Sequence, residues 1–579
     1  MNRAWIASLM GAGMAGGAGY AWMNGMAAPQ LVQMGAMGLA AGGMIAGMAR
    51  RMGPPKVQAK AQDKWASEAA LERAGLLQGD GIVLGRLGER YVTLRRPGHA
   101  LVIGGTRSGK TSGVIVPTLL NWTGSVLVFD PKGELWETTS GWRATFSDCL
   151  RFDPSDPDSI RYNPLLAIRE GAHQVGDTQK IVQIIANPGK ADHDNSNPFW
   201  RESASQWLTA VILHVLHAGP VKTIEWVRTL AMDFAATTEA MRKPSPAGKP
   251  PHGECVRVAK AMQEMDEKTR SGVQTTATSW LTLWADEMVA RATSTSDFDM
   301  GDLMCRQRPV SLYLSSPLSE QSRLEGITRI MLRQMAAALT ADLTHDLGGR
   351  KKKHDLLLCL EEFPQLGRMK FMEQLLAAGA GYGIRALMAA QSTSQLVAAY
   401  GRDHSILSNL EAFLAIPSVD TGENERIAEM VGKSLEYRAS YSRKAGTFEG
   451  STTWSEQIRQ AMETDEIRSL ASDRIFLFVR SLKPALLVRA HDEDAPIRAH
   501  KLKAAKQGKP LPPEKGPGAE NPPATMRPSA GLPADVSRRP DSPADPAGMK
   551  AETPGSVPSA VTVPPETGGP APWRYGYLH

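Results

Sequence analysis

Three short stretches of this chain are apolar at every position: Ala100–Ile103, Val126–Phe129 and Leu356–Leu360. A fourth, Ile384–Ala390, is broken only by Arg385. Unbroken runs of this length predict strands buried on both faces of a parallel sheet. Thr111–Leu120, which follows the first run, is compatible with a helix. The middle of the chain has a different rhythm. Gln179–Ile185, Ser203–His217, Thr223–Ala236, Val256–Lys268 and Thr275–Ala292 space their apolar residues as helices do. The Gly/Pro/Lys-rich stretch Pro244–Gly253 breaks the run as a loop.

The two ends are made of other material. Between Ala4 and Ala49 there is no Asp, Glu, Lys or Arg, and a polar break at Asn24–Gln30 divides the stretch into Ala4–Met23 and Leu31–Ala49. Each piece has about the ~20 residues that cross a bilayer. Arg3 precedes the first, and Arg50, Arg51 and Lys56 follow the second, so a transmembrane hairpin with both ends in the cytoplasm is predicted. Gly13 with Gly17 and Gly38 with Gly42 have the spacing that lets two such helices approach closely. At the other end, residues 501–579 hold 17 of the chain's 39 prolines, without strand or helix periodicity, which predicts a disordered tail.

Composition narrows the picture only modestly. The 579 residues suit two or three domains plus appendages. A net charge of +6 neither requires nor excludes a nucleic-acid partner, since a basic channel can hide in a balanced total. Four scattered cysteines without Cys-x-x-Cys spacing argue against a zinc site and a disulfide framework. The basic run Arg350–Lys353 is either a nucleic-acid contact or a solvated face.

The chemistry lies where the apolar runs end. Gly104-Gly105-Thr106-Arg107-Ser108-Gly109-Lys110-Thr111 matches the phosphate-loop pattern Gly-x-x-x-x-Gly-Lys-[Ser/Thr], between a predicted strand and a predicted helix. Backbone N–H groups of such a loop converge on phosphate oxygens of ATP, and a side chain at Gly104 or Gly109 would obstruct that approach. Lys110 is expected on the β- and γ-phosphates and the Thr111 hydroxyl on Mg²⁺. Leu356–Leu360 runs into Glu361-Glu362. Glu361 is expected beside Thr111 at the metal, and Glu362 as the group that polarises the attacking water. Gln391, at the end of Ile384–Ala390, is placed to sense the γ-phosphate and move the loop that follows. Val126–Phe129 ends in Asp130, with Lys132-Gly133-Glu134 turning near the nucleotide.

The run His99–Glu134, then Phe152-Asp153-Pro154, Tyr162-Asn163-Pro164-Leu165, Asn197-Pro198-Phe199-Trp200, Ser311–Leu314, Glu361–Pro364 and Gln391–Leu396, resembles in this order the coupling ATPases of type IV secretion systems, the conjugative DNA-transfer proteins. The resemblance covers most of residues 85–490. It implies a RecA-like ATPase core interrupted by an all-helical domain, six copies around a channel, and a place in the bacterial inner membrane. It also implies single-stranded DNA with a bound relaxase as cargo and secretion-channel components as partners. The chain departs from that pattern in three ways. The loop between the two membrane helices is very short. Glu361 stands where Asp is usual. Gly379-Ala380-Gly381 lacks the arginine that in relatives suits a neighbour's γ-phosphate, which leaves Arg385 as the nearest arginine-finger candidate or, equally, a structural residue of its strand.

The expectation is therefore an α/β P-loop core with an inserted all-α domain. Residues 1–56 form the anchor, 57–175 and 301–500 the two parts of the nucleotide-binding domain, 176–300 the helical domain and 501–579 the tail. The function expected is ATP-driven delivery of DNA during conjugation. A coupling ATPase for protein cargo alone, and an ATP-binding receptor scaffold, remain as alternatives.

Overall fold

The computed structural model describes residues 64–186, 198–443 and 450–490. Its strands, in chain order, are β1 (Ile82–Leu87), β2 (Arg90–Leu94), β3 (His99–Ile103), β4 (Ser125–Asp130), β5 (Asp148–Phe152), β6 (Val310–Ser315), β7 (Leu356–Leu360), β8 (Ile384–Ala390), β9 (Leu410–Ala415), β10 (Lys433–Arg443), β11 (Gly450–Gln460), β12 (Arg474–Val479) and β13 (Ala485–Val488). Eleven of them make one sheet in the order β2-β1-β13-β12-β9-β3-β8-β7-β4-β6-β5, while β10 and β11 pair as a separate ribbon. From β9 to β5 every pairing is parallel. β12 reverses direction against β9, and β12, β13, β1 and β2 continue as an antiparallel wing.

The four apolar runs are the inner strands of the parallel block, and their residues divide between two cores as the pleat requires. Leu356, Leu358 and Leu360 of β7 enter one core with Leu101 and Ile103 of β3; Leu357 and Cys359 enter the other with Ala100 and Val102. The helix expected over Thr111–Leu120 is a π-turn, Thr111–Ile115, followed by an α-helix, Val116–Asn121. Pro117 has no N–H to return to the preceding turn, and that turn widens so that Val116 N–H bonds to Thr111 O.

All eight helices of the insertion among the described residues lie between β5 and β6. Gln174–Ala186 and Pro198–Ala218 contain the predicted Gln179–Ile185 and Ser203–His217, whereas the predicted Val256–Lys268 overruns the helix Gly253–Glu264 into the one that follows. Two predicted helices are divided. Thr223–Ala236 becomes Ile224–Met232 and Phe234–Met241, and Thr275–Ala292 becomes Glu267–Trp280, a 3₁₀ turn and Glu287–Ala292. Aspartates sit at the new starts. Asp233 accepts from Ala236 N–H at 3.1 Å, Asp266 from Thr269 N–H at 3.0 Å and Asp286 from Met288 N–H at 2.8 Å. Capping one helix with a short carboxylate competes with continuing the previous one through that residue. The result is an α/β fold with a mixed central sheet and a helical insertion. The predicted membrane hairpin and the Pro-rich tail lie outside the described residues. Among those described, no helix is long and apolar enough to cross a membrane.

One fully buried cation ties the parallel block together. Arg143, on the helix Glu134–Arg143, donates to Leu119 O at 2.8 Å, Trp122 O at 2.7 Å, Gly124 O at 2.6 Å and Ser311 Oγ at 2.7 Å. Those acceptors end the helix behind the phosphate loop, lead into β4 and sit on β6. Replacing Arg143 with Met fills the space but strands several buried acceptors, each costing about 1–3 kcal/mol. R143M should therefore lose at least about 3 kcal/mol of stability, measured as a lowered urea midpoint with unchanged slope.

Candidate nucleotide site

Parallel pairing brings the carboxyl ends of β3, β8 and β7 to one edge of the sheet. The pairs Ile103 with Ala390 and Leu360 with Met388 put Gly104, Gln391 and Glu361 on adjacent strand tips. In open α/β sheets this edge is where ligands bind. The sequence therefore supplies three separated motifs, and the strand order assembles them.

The loop is held in a shape suited to an anion. Gly109 has φ +86°, a region costly for any residue with a side chain, and Arg107 stands at φ +60°. A Cβ on Gly104 would lie 2.6 Å from Ser108 Oγ. Lys110 is nearly buried, and its Nζ donates to Gly104 O at 2.5 Å and Gly105 O at 3.0 Å. Burial lowers the Lys110 pKa, while the charges of Glu362 and Glu361 oppose that shift.

Thr111 Oγ1 donates to Glu361 Oε1 at 2.5 Å. The longer arm of a glutamate thus reaches the threonine from β7. Neither carboxylate is solvated: Glu361 is 3% and Glu362 9% exposed. Burial raises the Glu361 pKa, only partly countered by the Thr111 hydrogen bond. Glu362 adopts φ +54°, an uncommon conformation for a non-glycine residue and the kind of local strain that concentrates at functional sites. The Gln391 amide bridges the two halves, donating to Glu362 Oε1 at 3.2 Å and accepting from Thr106 Oγ1 at 3.3 Å. Glu361 Oε2 and Ser108 Oγ are buried without a hydrogen-bond partner. A hard cation and a phosphate oxygen would satisfy these groups, so the residues fit a magnesium–triphosphate unit.

Asp130 sits at the tip of β4, next to β7. It is fully buried, accepts from Trp136 N–H at 2.8 Å through Oδ2, and leaves Oδ1 without a partner. Burial raises its pKa to about 6.

The geometry bears on two further expectations. Arg385 is the second residue of β8, nearly a strand's length from Gln391. Its guanidinium donates to Asp355 Oδ2 at 2.7 Å and Arg95 O at 2.5 Å, and lies over the Trp122 ring. Within this chain it holds the strand's entry and does not join Lys110, Glu361, Glu362 and Gln391. In the basic run Arg350–Lys353, Lys351 and Lys353 are exposed, while the other two cations are engaged. Arg350 pairs with Asp299, Asp302 and Asp346, while Lys352 Nζ donates to Leu339 O and Asp342 O.

Two residues at this edge had no sequence signal. Glu423 accepts from Thr393 N–H at 2.7 Å and Thr393 Oγ1 at 3.1 Å, pinning the loop after Gln391. Arg489, just beyond β13, donates through Nη1 to Ser108 O at 2.6 Å, across 381 positions of chain.

The family model for type IV secretory system conjugative DNA transfer matches residues 64–503. The chain belongs to that family. Conjugal transfer protein TraG of Escherichia coli is 32% identical over 447 residues, 70% of each protein. Protein VirD4 of Agrobacterium fabrum is 28% identical over 450 residues, covering 73% of this chain and 64% of that protein. The plasmid coupling protein TrwB, solved in complex with ADP and Mg²⁺, superposes with a TM-score of 0.55 at 16% identity, over 74% of this chain and 94% of that one. At that identity the likeness is one of fold. This chain is accordingly a conjugal transfer coupling protein with the fold of a nucleotide-binding member, and the ordered motifs of its sequence are the family's.

The environment of Asp130 makes a pH-dependent prediction for this coupling protein. Its folded pKa, about 6, lies above the ordinary 3.8, so the native state holds the proton more tightly than the unfolded chain does. The associated stability is present below about pH 4 and is lost as pH rises through 6, a swing of about 3 kcal/mol. Asp130→Asn keeps an acceptor for Trp136 and removes the titration. Its stability relative to wild type should improve by about that amount between pH 4 and pH 7, read from urea midpoints at the two values.

Proposed function

We propose that this coupling protein is a membrane-anchored motor that hydrolyses Mg·ATP to deliver single-stranded DNA, with its relaxase attached, to a type IV secretion channel. The convergence of Lys110, Thr111, Glu361, Glu362 and Gln391 on one sheet edge, with unpartnered buried oxygens among them, carries the reading. Backbone N–H groups of residues 104–111 hold the phosphates, and the Lys110 ammonium neutralises charge on the outer ones. Thr111 and Glu361 hold the metal, which when bound offsets phosphate charge. Glu362 accepts the proton of the attacking water or orients it. Gln391, bonded both to Glu362 and to Thr106 of the loop, responds when the outer phosphate leaves and moves the segment pinned by Glu423.

The domain division belongs to the same proposal. Residues 1–56 anchor the chain in the inner membrane, 57–175 with 301–500 form the engine, 176–300 the cargo-facing helical domain and 501–579 a tail. Six subunits form a ring, with secretion-channel components as its partners.

Full-length protein in detergent provides the test. ATPase activity should rise with single-stranded DNA at protein concentrations that permit oligomers. Lys110→Ala should abolish nucleotide binding and turnover. Glu362→Gln should keep binding while turnover falls by about 10²–10⁴, the usual weight of a general base. A turnover rate indifferent to DNA would favour a protein-only cargo. Normal conjugation by the K110A strain would leave the receptor scaffold as the function.

A further inference from the structure

The phosphate loop does not hold its shape alone, and the group behind it comes from the far end of the motor fold. Arg489 follows β13 in the antiparallel wing and is 8% exposed. Its Nη1 donates to Ser108 O at 2.6 Å and its Nη2 to Ser472 O at 2.5 Å. Its backbone N–H bonds to Asp473 O at 2.7 Å, so both ends of the residue are fixed to the segment before β12. The aliphatic stem packs on the loop's helix, where a Cβ on Gly113 would meet the Arg489 stem carbons at 3.2–3.5 Å. The guanidinium itself fills the space where a Cβ of Gly109 would stand. Gly109 is therefore required twice, once by its positive φ and once by this arginine.

The consequence follows from peptide geometry. In a trans peptide the C=O of Ser108 and the N–H of Gly109 point in opposite directions from one plane. A donor that fixes Ser108 O on the outer side of the loop turns the Gly109 N–H toward the inner side, where phosphate oxygens bind. A cation on the carbonyl also polarises the peptide and strengthens its N–H as a donor. Among the described residues no carboxylate is hydrogen-bonded to the guanidinium and Nε has no partner; Asp473 acts on it through its charge alone, and the donors of both terminal nitrogens go to carbonyls.

We propose that Arg489 is a positioning residue for nucleotide binding. By gripping Ser108 O from the antiparallel wing, it presets the Gly109 amide toward the phosphates and ties the loop's shape to the segment between Ser472 and β12. The inference rests on the reading of residues 104–111 as a nucleotide site and adds to it a residue outside the phosphate-loop motif.

Full-length wild type, Arg489→Met and Arg489→Lys test it by calorimetric titration with Mg·ADP and by steady-state ATPase kinetics. R489M keeps the stem that packs on Gly113 and loses both donors. R489K keeps the charge but offers one ammonium for two separated carbonyls. The expected result is a tenfold or greater loss of Mg·ADP affinity in R489M, a smaller loss in R489K, and KM for ATP raised in the same order with kcat within threefold. Melting without nucleotide identifies which variants are folded at the titration temperature. If R489M does not fold, the affinity of R489K decides. Folded variants that bind Mg·ADP like wild type, whatever their melting temperatures, would overturn the proposal and leave Arg489 a packing residue. Wild type that binds no Mg·ADP would instead overturn the nucleotide reading itself, and this inference with it.

Discussion

A loop that binds phosphate with backbone amides must keep its carbonyls turned away and its N–H groups turned in before any ligand arrives. Two residues of this loop, Arg107 and Gly109, stand at positive φ, a shape the chain would not favour unaided. The surroundings supply the restraint. β3 enters from the middle of a sheet buried on both faces, and the π-turn and helix leave behind it against Arg143. Lys110 closes over the carbonyls of Gly104 and Gly105, and Arg489 takes the carbonyl of Ser108. Every other feature of the site is arranged around that fixed loop.

The same edge joins one strand tip to another through side chains. Glu361 touches Thr111, Glu362 touches Gln391, and Gln391 touches Thr106, so β7, β8 and the phosphate loop are linked by side chains at hydrogen-bond distance. The next link, from Thr393 to Glu423, carries the chain of contacts to the helix Thr421–Val431 after β9. Such a series has the connectivity a phosphate sensor needs, since its members are polar, mostly buried and each dependent on the next. Asp130 adds a further buried carboxyl beside Glu361 and raises the electrostatic cost of charging that edge.

Local chemistry was legible where one residue type suffices for a physical task. Continuous or nearly continuous apolar runs identified β3, β4, β7 and β8, because a strand covered on both faces has no solvent side to mark. The glycines, Lys110 and Thr111 identified the loop, and the carboxylates at the end of β7 identified its partner. Helix boundaries were less legible. Periodicity passed through Asp233 and missed the helix beginning after Asp266, although aspartate as a cap was a signal available to find both starts.

The sequence by itself determined the phosphate loop, the buried strands, the order of the family's motifs and the presence of a helical insertion, since these depend on local composition and spacing. Tertiary structure alone decided that β8 lies between β3 and β7, which is what puts Gln391 between the loop and Glu362. It also decided the fate of the cations. Arg385 and Arg350 carry the same charge as Arg489, yet the first two meet carboxylates at short range while the third meets the carbonyl of Ser108. An arginine's role is set by the group that folding brings to its guanidinium, and for Arg489 that group is 381 residues away, beyond any periodicity or motif.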